Sequence, residues 1–146
     1  MNNSEIEVLL VEDNKGDATL TIMALKEHNL ANKLIHLQDG AEAINYIFCT
    51  GEYKDRIIEN HPKIILLDLK MPKVGGIEVL QKIKSDERTK TIPVIILTSS
   101  AEDPDVKRCY ELGANSYLVK PVSFDDFKKV VTSLGMYWMI LNTPCC

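Results

Sequence analysis

A small set of polar residues stands where apolar runs end. Glu12 and Asp13 follow Val8-Leu9-Leu10-Val11, Asp68 follows Ile64-Ile65-Leu66-Leu67, Thr98 follows Val94-Ile95-Ile96-Leu97, and Lys120 follows Ser116-Tyr117-Leu118-Val119. Carboxylates gathered at one place repel one another, and a divalent cation among them relieves that repulsion. Oxygen-only ligands beside a phosphate site suit Mg²⁺, which keeps several waters and takes one or two carboxylates along with phosphate oxygens. Lys120 would add a point positive charge and Thr98 a hydroxyl donor, groups that stabilise a phosphoryl group in transfer. A carboxylate would then be the nucleophile. Asp68 is the best placed, on the strand expected at the centre of the sheet, and carboxylates do accept phosphoryl groups covalently. Where a buried strand gives out, such a group is costly to desolvate unless metal, cation or chemistry meets it there.

The elements that position these residues can be read in order. Continuous aliphatic runs, rich in β-branched residues, are strands buried on both faces, as in a parallel sheet. Pro72, with fixed φ and no backbone N–H, closes the third strand and turns the chain outward after Asp68. From Asn14 to about Asn29 the spacing predicts a helix with Ala18, Ile22 and Leu25 on its core stripe. Its opposite side carries Gly16, Leu20, Met23, Ala24 and Glu27, and apolar side chains flanked by small residues there suggest a docking surface. Lys33 to Leu37 is a second strand, ended by Asp39-Gly40, and the next helix turns Ala43, Ile44, Ile47 and Phe48 inward. The polar connection from Thr50 to Lys63 exceeds the usual two to six residues and reads as a surface excursion with a little helix of its own.

After Gly75-Gly76 a third helix buries Ile77, Leu80 and Ile83 up to about Ser85, and Pro93 opens the fourth strand. Asp103 before Pro104 is an N-cap with proline at the first helical position, and Gly113 ends that helix. Ser123-x-x-Asp126 resembles a capping box, launching a last helix expected to continue to about Leu141. Five strands alternating with five helices predict an α/β fold: a three-layer, doubly wound sandwich with a parallel sheet and right-handed crossovers. In such a sheet the C-terminal strand edge is where sites form.

Bulk properties narrow the function classes. At 146 residues the chain suits one domain, and 45% apolar with 26% charged residues is ordinary for a water-soluble protein. No apolar run reaches membrane-spanning length, and Met-Asn-Asn-Ser-Glu has no signal-peptide character, so a cytoplasmic location without membrane contact is expected. A net charge of −4 and a pI near 5.4 argue against nucleic acid as a partner. Cys49, Cys109, Cys145 and Cys146 lack C-x-x-C spacing, and the histidines are isolated, so neither a zinc site nor a disulfide framework is indicated.

The set Val11-Glu12-Asp13-Asn14, Leu66-Leu67-Asp68-Leu69-Lys70-Met71-Pro72 with Gly76, Leu97-Thr98, and Gly113-Ala114 leading to Tyr117-Leu118-Val119-Lys120-Pro121 resembles the receiver domain of two-component response regulators. The resemblance spans about residues 5 to 134, leaving 135 to 146 as a helical extension and tail. It implies a flavodoxin-like sheet of order 2-1-3-4-5. It also implies phosphorylation of Asp68 by a sensor histidine kinase, with Mg²⁺ held by Asp13, Asp68 and the Lys70 carbonyl, and by Glu12 through water. Lys120 would bond the phosphoryl oxygens, Thr98 and Tyr117 would form a switch pair, and Lys120-Pro121 would be a cis peptide. Such a protein catalyses only its own phosphorylation and dephosphorylation and is not otherwise an enzyme.

More narrowly, Val11-Glu12-Asp13-Asn14-Lys15-Gly16-Asp17, the connection through Gly51-Glu52-Tyr53 and the Trp138-bearing C-terminus resemble the small stand-alone regulators paired with bacterial phytochromes. That resemblance implies output by protein contact rather than through a DNA-binding domain. Gly75, Lys70 and Ser99 depart from common receiver usage and bear on how long a phosphoryl group would last. A haloacid-dehalogenase-type phosphatase would need an acid two residues after Asp68, where Lys70 stands. A flavin carrier would find its phosphate repelled by Glu12 and Asp13. An interaction module that keeps the fold without the chemistry is the alternative reading. Finally, Phe124, Phe127, Val131, Leu134, Trp138 and Leu141 alternate spacings of three and four, and residues 136 to 141 are apolar all round. A homodimer through Tyr137, Trp138 and Leu141 is the expectation that follows.

Overall fold

The computed structural model describes residues 7–26, 33–71 and 74–135. The apolar runs form the strands β1 (Glu7–Val11), β2 (Lys33–Leu37), β3 (Ile64–Asp68), β4 (Val94–Thr98) and β5 (Ser116–Val119). They pair in parallel in the order β2-β1-β3-β4-β5, as expected. Between them lie α1 (Lys15–Lys26), α2 (Gly40–Phe48), α3 (Gly76–Ser85) and α4 (Pro104–Glu111), with α5 (Phe124–Ser133) after the last strand.

Alternate strand residues feed two cores. Leu9, Val11, Ile65, Leu67, Val94 and Ile96 meet α2, α3 and α4 through Ala43, Ile47, Leu80, Ile83, Val106 and Cys109. Val8, Leu10, Ile64, Leu66, Ile95 and Leu97 meet α1 and α5 through Ala18, Leu25, Phe127 and Val131. A strand covered on both faces cannot afford the polar half of an alternating pattern, which is why β3 and β4 are buried throughout.

Register levels the strand ends. Val11 pairs with Leu67, so Glu12 arrives beside Asp68; Asp68 pairs with Leu97; and Thr98 pairs with Val119, so Lys120 follows beside it. The polar residues separated in sequence therefore leave the sheet at one edge.

Local signals mostly do what their chemistry dictates. The Asp39 carboxylate accepts from the Glu42 N–H at 2.7 Å and caps α2. Asp103 caps α4 by accepting from the Asp105 N–H, with Pro104 in the first turn. The Ser123 hydroxyl accepts from the Asp126 N–H at 3.1 Å and starts α5. In the excursion after α2, Gly51–Tyr53 forms a single 3-10 turn. The Arg56 guanidinium lies 3.7 Å from the centre of the Tyr46 ring, and Tyr53 donates to Glu42 at 2.9 Å, pinning the excursion to α2.

Several expectations need correction. Helix α1 is assigned to Lys15–Lys26, and residues 27–32 lie outside the described set. Ile22, Ile44, Phe48 and Ile77 are only partly buried, whereas Thr21 and Tyr46 are buried. The last helix, expected to continue to about Leu141, is closed before the end of the described residues. It ends at Ser133: the Leu134 N–H donates to the Val130 carbonyl, the Gly135 N–H to the Thr132 carbonyl, and Gly135 adopts φ 74°. That left-handed conformation closes helices and is available to glycine at little steric cost. Tyr137, Trp138 and Leu141, on which the expected dimer rests, lie outside the described residues, as do Pro72, Cys145 and Cys146. Among the described residues no helix is long and apolar enough to cross a membrane.

Candidate functional site

Lys120 is the hub of the site. Its Nζ lies 3.2 Å from Glu12 Oε1, 3.2 Å from Asp68 Oδ1 and 3.1 Å from Asp17 Oδ2. The Lys120 N–H also donates to the Thr98 carbonyl at 2.7 Å, tying the loop after β5 to the end of β4. The next peptide bond, Lys120-Pro121, is cis, as the family resemblance implied.

Glu12 is fully buried and Asp68 nearly so, while Asp13 is exposed. One carboxylate oxygen from each lies within 4.8 Å of the others. Adjacent ligands of an octahedral ion bound at about 2.1 Å stand roughly 3 Å apart and opposite ones roughly 4.2 Å, so these oxygens must draw inward to share Mg²⁺, which the exposed Asp13 side chain is free to do. The donor set, hard oxygens with an exposed side open to water, fits such an ion. The Lys70 carbonyl, which the family resemblance implies as a further ligand, belongs to the segment just after the end of β3.

Burial pushes the Asp68 carboxyl well above the usual carboxylate range. Glu12 pushes the same way by hydrogen bond and charge, and Lys120 pulls against both. Burial also works against the Lys120 charge, but Asp68, Asp17 and Glu12 outweigh it and keep the ammonium firmly protonated. The arrangement is therefore an acidic cluster partly neutralised by one fixed cation, with a desolvated carboxylate facing a cleft of about 70 Å³. Asp68, Leu69, Lys70, Thr98, Ser99, Asp103 and Lys120 line that cleft.

Other residues singled out from the sequence fall as follows. Thr98 is buried, and its hydroxyl donates to the Ser100 carbonyl at 3.1 Å, which points it into the loop after β4. Tyr117 is half-buried and meets Tyr110 edge-on, with ring centres 6.3 Å apart; it does not line the cleft. The Lys70 ammonium reaches Asp103 Oδ2 at 3.2 Å, across the cleft mouth. On α1, Gly16, Leu20 and Met23 are exposed and Ala24 is half-buried, so the face proposed for docking is open.

Sequence reasoning gave no role to Asp17. It lies in the first turn of α1, and nothing in the spacing of that helix marks it as a partner of Lys120. His36, treated as isolated, has its Nε2 2.9 Å from the Glu12 carbonyl oxygen and helps hold the end of β1.

The response regulator receiver domain model matches residues 8–132. The chain is 42% identical to the probable methanogenesis regulatory protein FilR2 of Methanothrix harundinacea, over 92% of this chain and 84% of that protein. It is 40% identical to the response regulator Rcp1 of Synechocystis, over 90% of this chain and 88% of Rcp1. The solved Mn²⁺-bound form of Rcp1 superimposes with a TM-score of 0.74 at 38% identity, covering 97% of this chain and 99% of that one. The bacteriophytochrome response regulator RtBRR superimposes with a TM-score of 0.86 at 47% identity, covering 97% of this chain and 84% of its own. Strand order, the acidic cluster around Asp68 and these likenesses agree, and the chain belongs to the response regulator receiver domain family.

Proposed function

We propose that Asp68 accepts a phosphoryl group from the phosphohistidine of a sensor histidine kinase. The observation that carries this is the position of Asp68: a desolvated carboxylate on the cleft wall, 3.2 Å from Lys120 Nζ and beside Glu12 and Asp13. In the transfer an Asp68 oxygen bonds to phosphorus and the bond from phosphorus to the donor imidazole nitrogen breaks, leaving the imidazole on the kinase. Lys120 offers its ammonium to the phosphoryl oxygens, and Thr98 can offer its hydroxyl once that group turns from the Ser100 carbonyl. Glu12, Asp13, Asp68 and the Lys70 carbonyl would hold Mg²⁺, which supplies charge neutralisation for the phosphoryl oxygens when bound.

Tyr117 would follow Thr98 as the second half of a switch, its contact with Tyr110 carrying the change to α4. The likeness to regulators named for bacteriophytochromes favours a phytochrome-type kinase as the donor, and a cytoplasmic site of action is part of the same reading. Residues 1–146 would act as one receiver domain. A homodimer through Tyr137, Trp138 and Leu141 is part of the same reading, and sedimentation of the parent and a Tyr137→Ala, Trp138→Ala double variant tests it.

Incubation with acetyl phosphate and Mg²⁺ should add one phosphate to the parent and none to Asp68→Asn. Full labelling of that variant would place the acceptor elsewhere. A chain that takes no phosphate from small donors or kinases would instead favour an interaction module that keeps the fold alone.

A further inference from the structure

We propose that Asp17 is the releasable partner of Lys120, a positioning residue that occupies the ammonium until a phosphoryl group arrives. This rests on the reading of Asp68 as acceptor. An ammonium has three N–H donors. Here three carboxylates surround it at 3.1 to 3.2 Å: Glu12, Asp17 and Asp68. Glu12 and Asp68 accept hydrogen bonds from it and Asp17 closes the remaining side as an ion pair, so phosphoryl oxygens built on Asp68 can engage Lys120 in full only if one acid gives way.

Burial decides which. The Glu12 side chain is 0% exposed and that of Asp68 6%, so either would lose its cation with no water to replace it. The Asp17 side chain is 37% exposed, and water can solvate it once released. Asp17 sits in the first turn of α1, where its N–H is held by Asn14 Oδ1 at 2.8 Å and the helix end favours a negative charge. It can therefore let go of Lys120 without unwinding the helix.

The test uses the full chain with Mg²⁺ held constant and beryllofluoride as the phosphoryl mimic, its affinity measured by titration. Asp17→Asn and Asp17→Ser should bind beryllofluoride about two- to fivefold more tightly, the scale of one part-exposed ion pair. Asp17→Glu should stay near the parent, because it restores a carboxylate within reach of Lys120. In a Lys120→Gln background the tightening from Asp17→Asn should vanish, since the two residues act through one contact. Melting temperatures identify any loss of fold, which would weaken binding rather than tighten it. Equal or weaker binding by both Asp17 variants, or tightening that persists without Lys120, overturns the proposal. Failure of the parent itself to bind the mimic, with Asp68→Asn unchanged from it, would instead overturn the reading of Asp68.

Discussion

The backbone of Gly76 packs directly on the carbonyl of Asp68: a Cβ at Gly76 would stand 2.3 Å from that oxygen and 2.9 Å from the Leu69 Cα. The Gly76 N–H also donates to the Leu69 carbonyl at 3.1 Å, so the start of α3 is fastened to the end of β3. A methyl group there must push backbone against backbone, and the strand end bearing Asp68 would move. Gly76→Ala should destabilise the fold by about 1–3 kcal/mol, the usual scale of overpacking, and slow labelling by acetyl phosphate. At Gly75 the nearest atom to an added Cβ is the Met71 carbonyl oxygen at 3.9 Å, so Gly75→Ala should be close to neutral. Urea denaturation of the two variants side by side checks the contrast; equal losses would contradict it.

Metal should stabilise the folded chain by mass action, because the cluster of Glu12, Asp13 and Asp68 exists only when β1 and β3 are paired. At a Mg²⁺ concentration of about ten times its Kd the gain is roughly 1.4 kcal/mol, which raises the Tm by a few degrees in a domain of this size. Asp13 is exposed, so Asp13→Ala should leave the metal-free Tm almost unchanged and remove most of the Mg²⁺ response. Differential scanning with EDTA and with Mg²⁺ measures both; an undiminished response in the variant would move the site away from these residues.

The sheet and the main site residues were legible because both are written locally. Runs such as Ile64-Ile65-Leu66-Leu67 have one stable use, a strand covered on both faces, and the polar residue after each run must then sit at the sheet edge. Parallel pairing converts that into proximity of Glu12, Asp68, Thr98 and Lys120. Asp17 was harder to see, since its contact with Lys120 depends on the tilt of α1 over the edge and no pattern in α1 reports that. The end of α5 was misread for the opposite reason. Phe124, Phe127, Val131 and Leu134 continue in period into Trp138 and Leu141, yet periodicity of side chains is blind to Gly135, which breaks the backbone by turning left-handed. Thr98 was placed correctly but not oriented, because a hydroxyl rotor with a carbonyl nearby follows its local hydrogen bond to Ser100.

Cys109 should make stability fall at alkaline pH. It is 1% exposed, inside α4, and burial, with Asp105 and Asp103 adding to it, pushes the thiol up to about 11 from an ordinary 9.0. The folded state therefore keeps its proton where the unfolded chain has lost it, so this contribution is fully present below pH 9 and is lost as pH rises toward 11. At pH 10 the loss is about 1.4 kcal/mol relative to pH 8. The comparison of urea midpoints at the two pH values for the parent and Cys109→Ser isolates it, because serine does not titrate there. The native protein should also leave Cys109 unlabelled by a disulfide reagent at pH 8 until denaturant is added, whereas half-buried Cys49 should react earlier.

The α1 face offers the sharpest division between docking and chemistry. Leu20 and Met23 are 50% and 55% exposed, far too open to be core residues, and they follow Asp17 on the helix that borders the acidic cluster. Exposed apolar side chains next to a reactive carboxylate give a partner's helices something to bury as they bring a phosphohistidine into reach. A charge placed there would oppose that burial without touching the site. Leu20→Glu or Met23→Glu should therefore slow phosphoryl transfer from a phytochrome-type histidine kinase roughly tenfold, equivalent to ~1.4 kcal/mol of lost docking energy. Labelling by acetyl phosphate should be unchanged, and the Tm should move by no more than surface substitutions usually cause. Parallel time courses with the two donors decide between the possibilities. Slowing of both donors together would show that the substitutions disturb the cleft itself, and slowing of neither would place the kinase on another face.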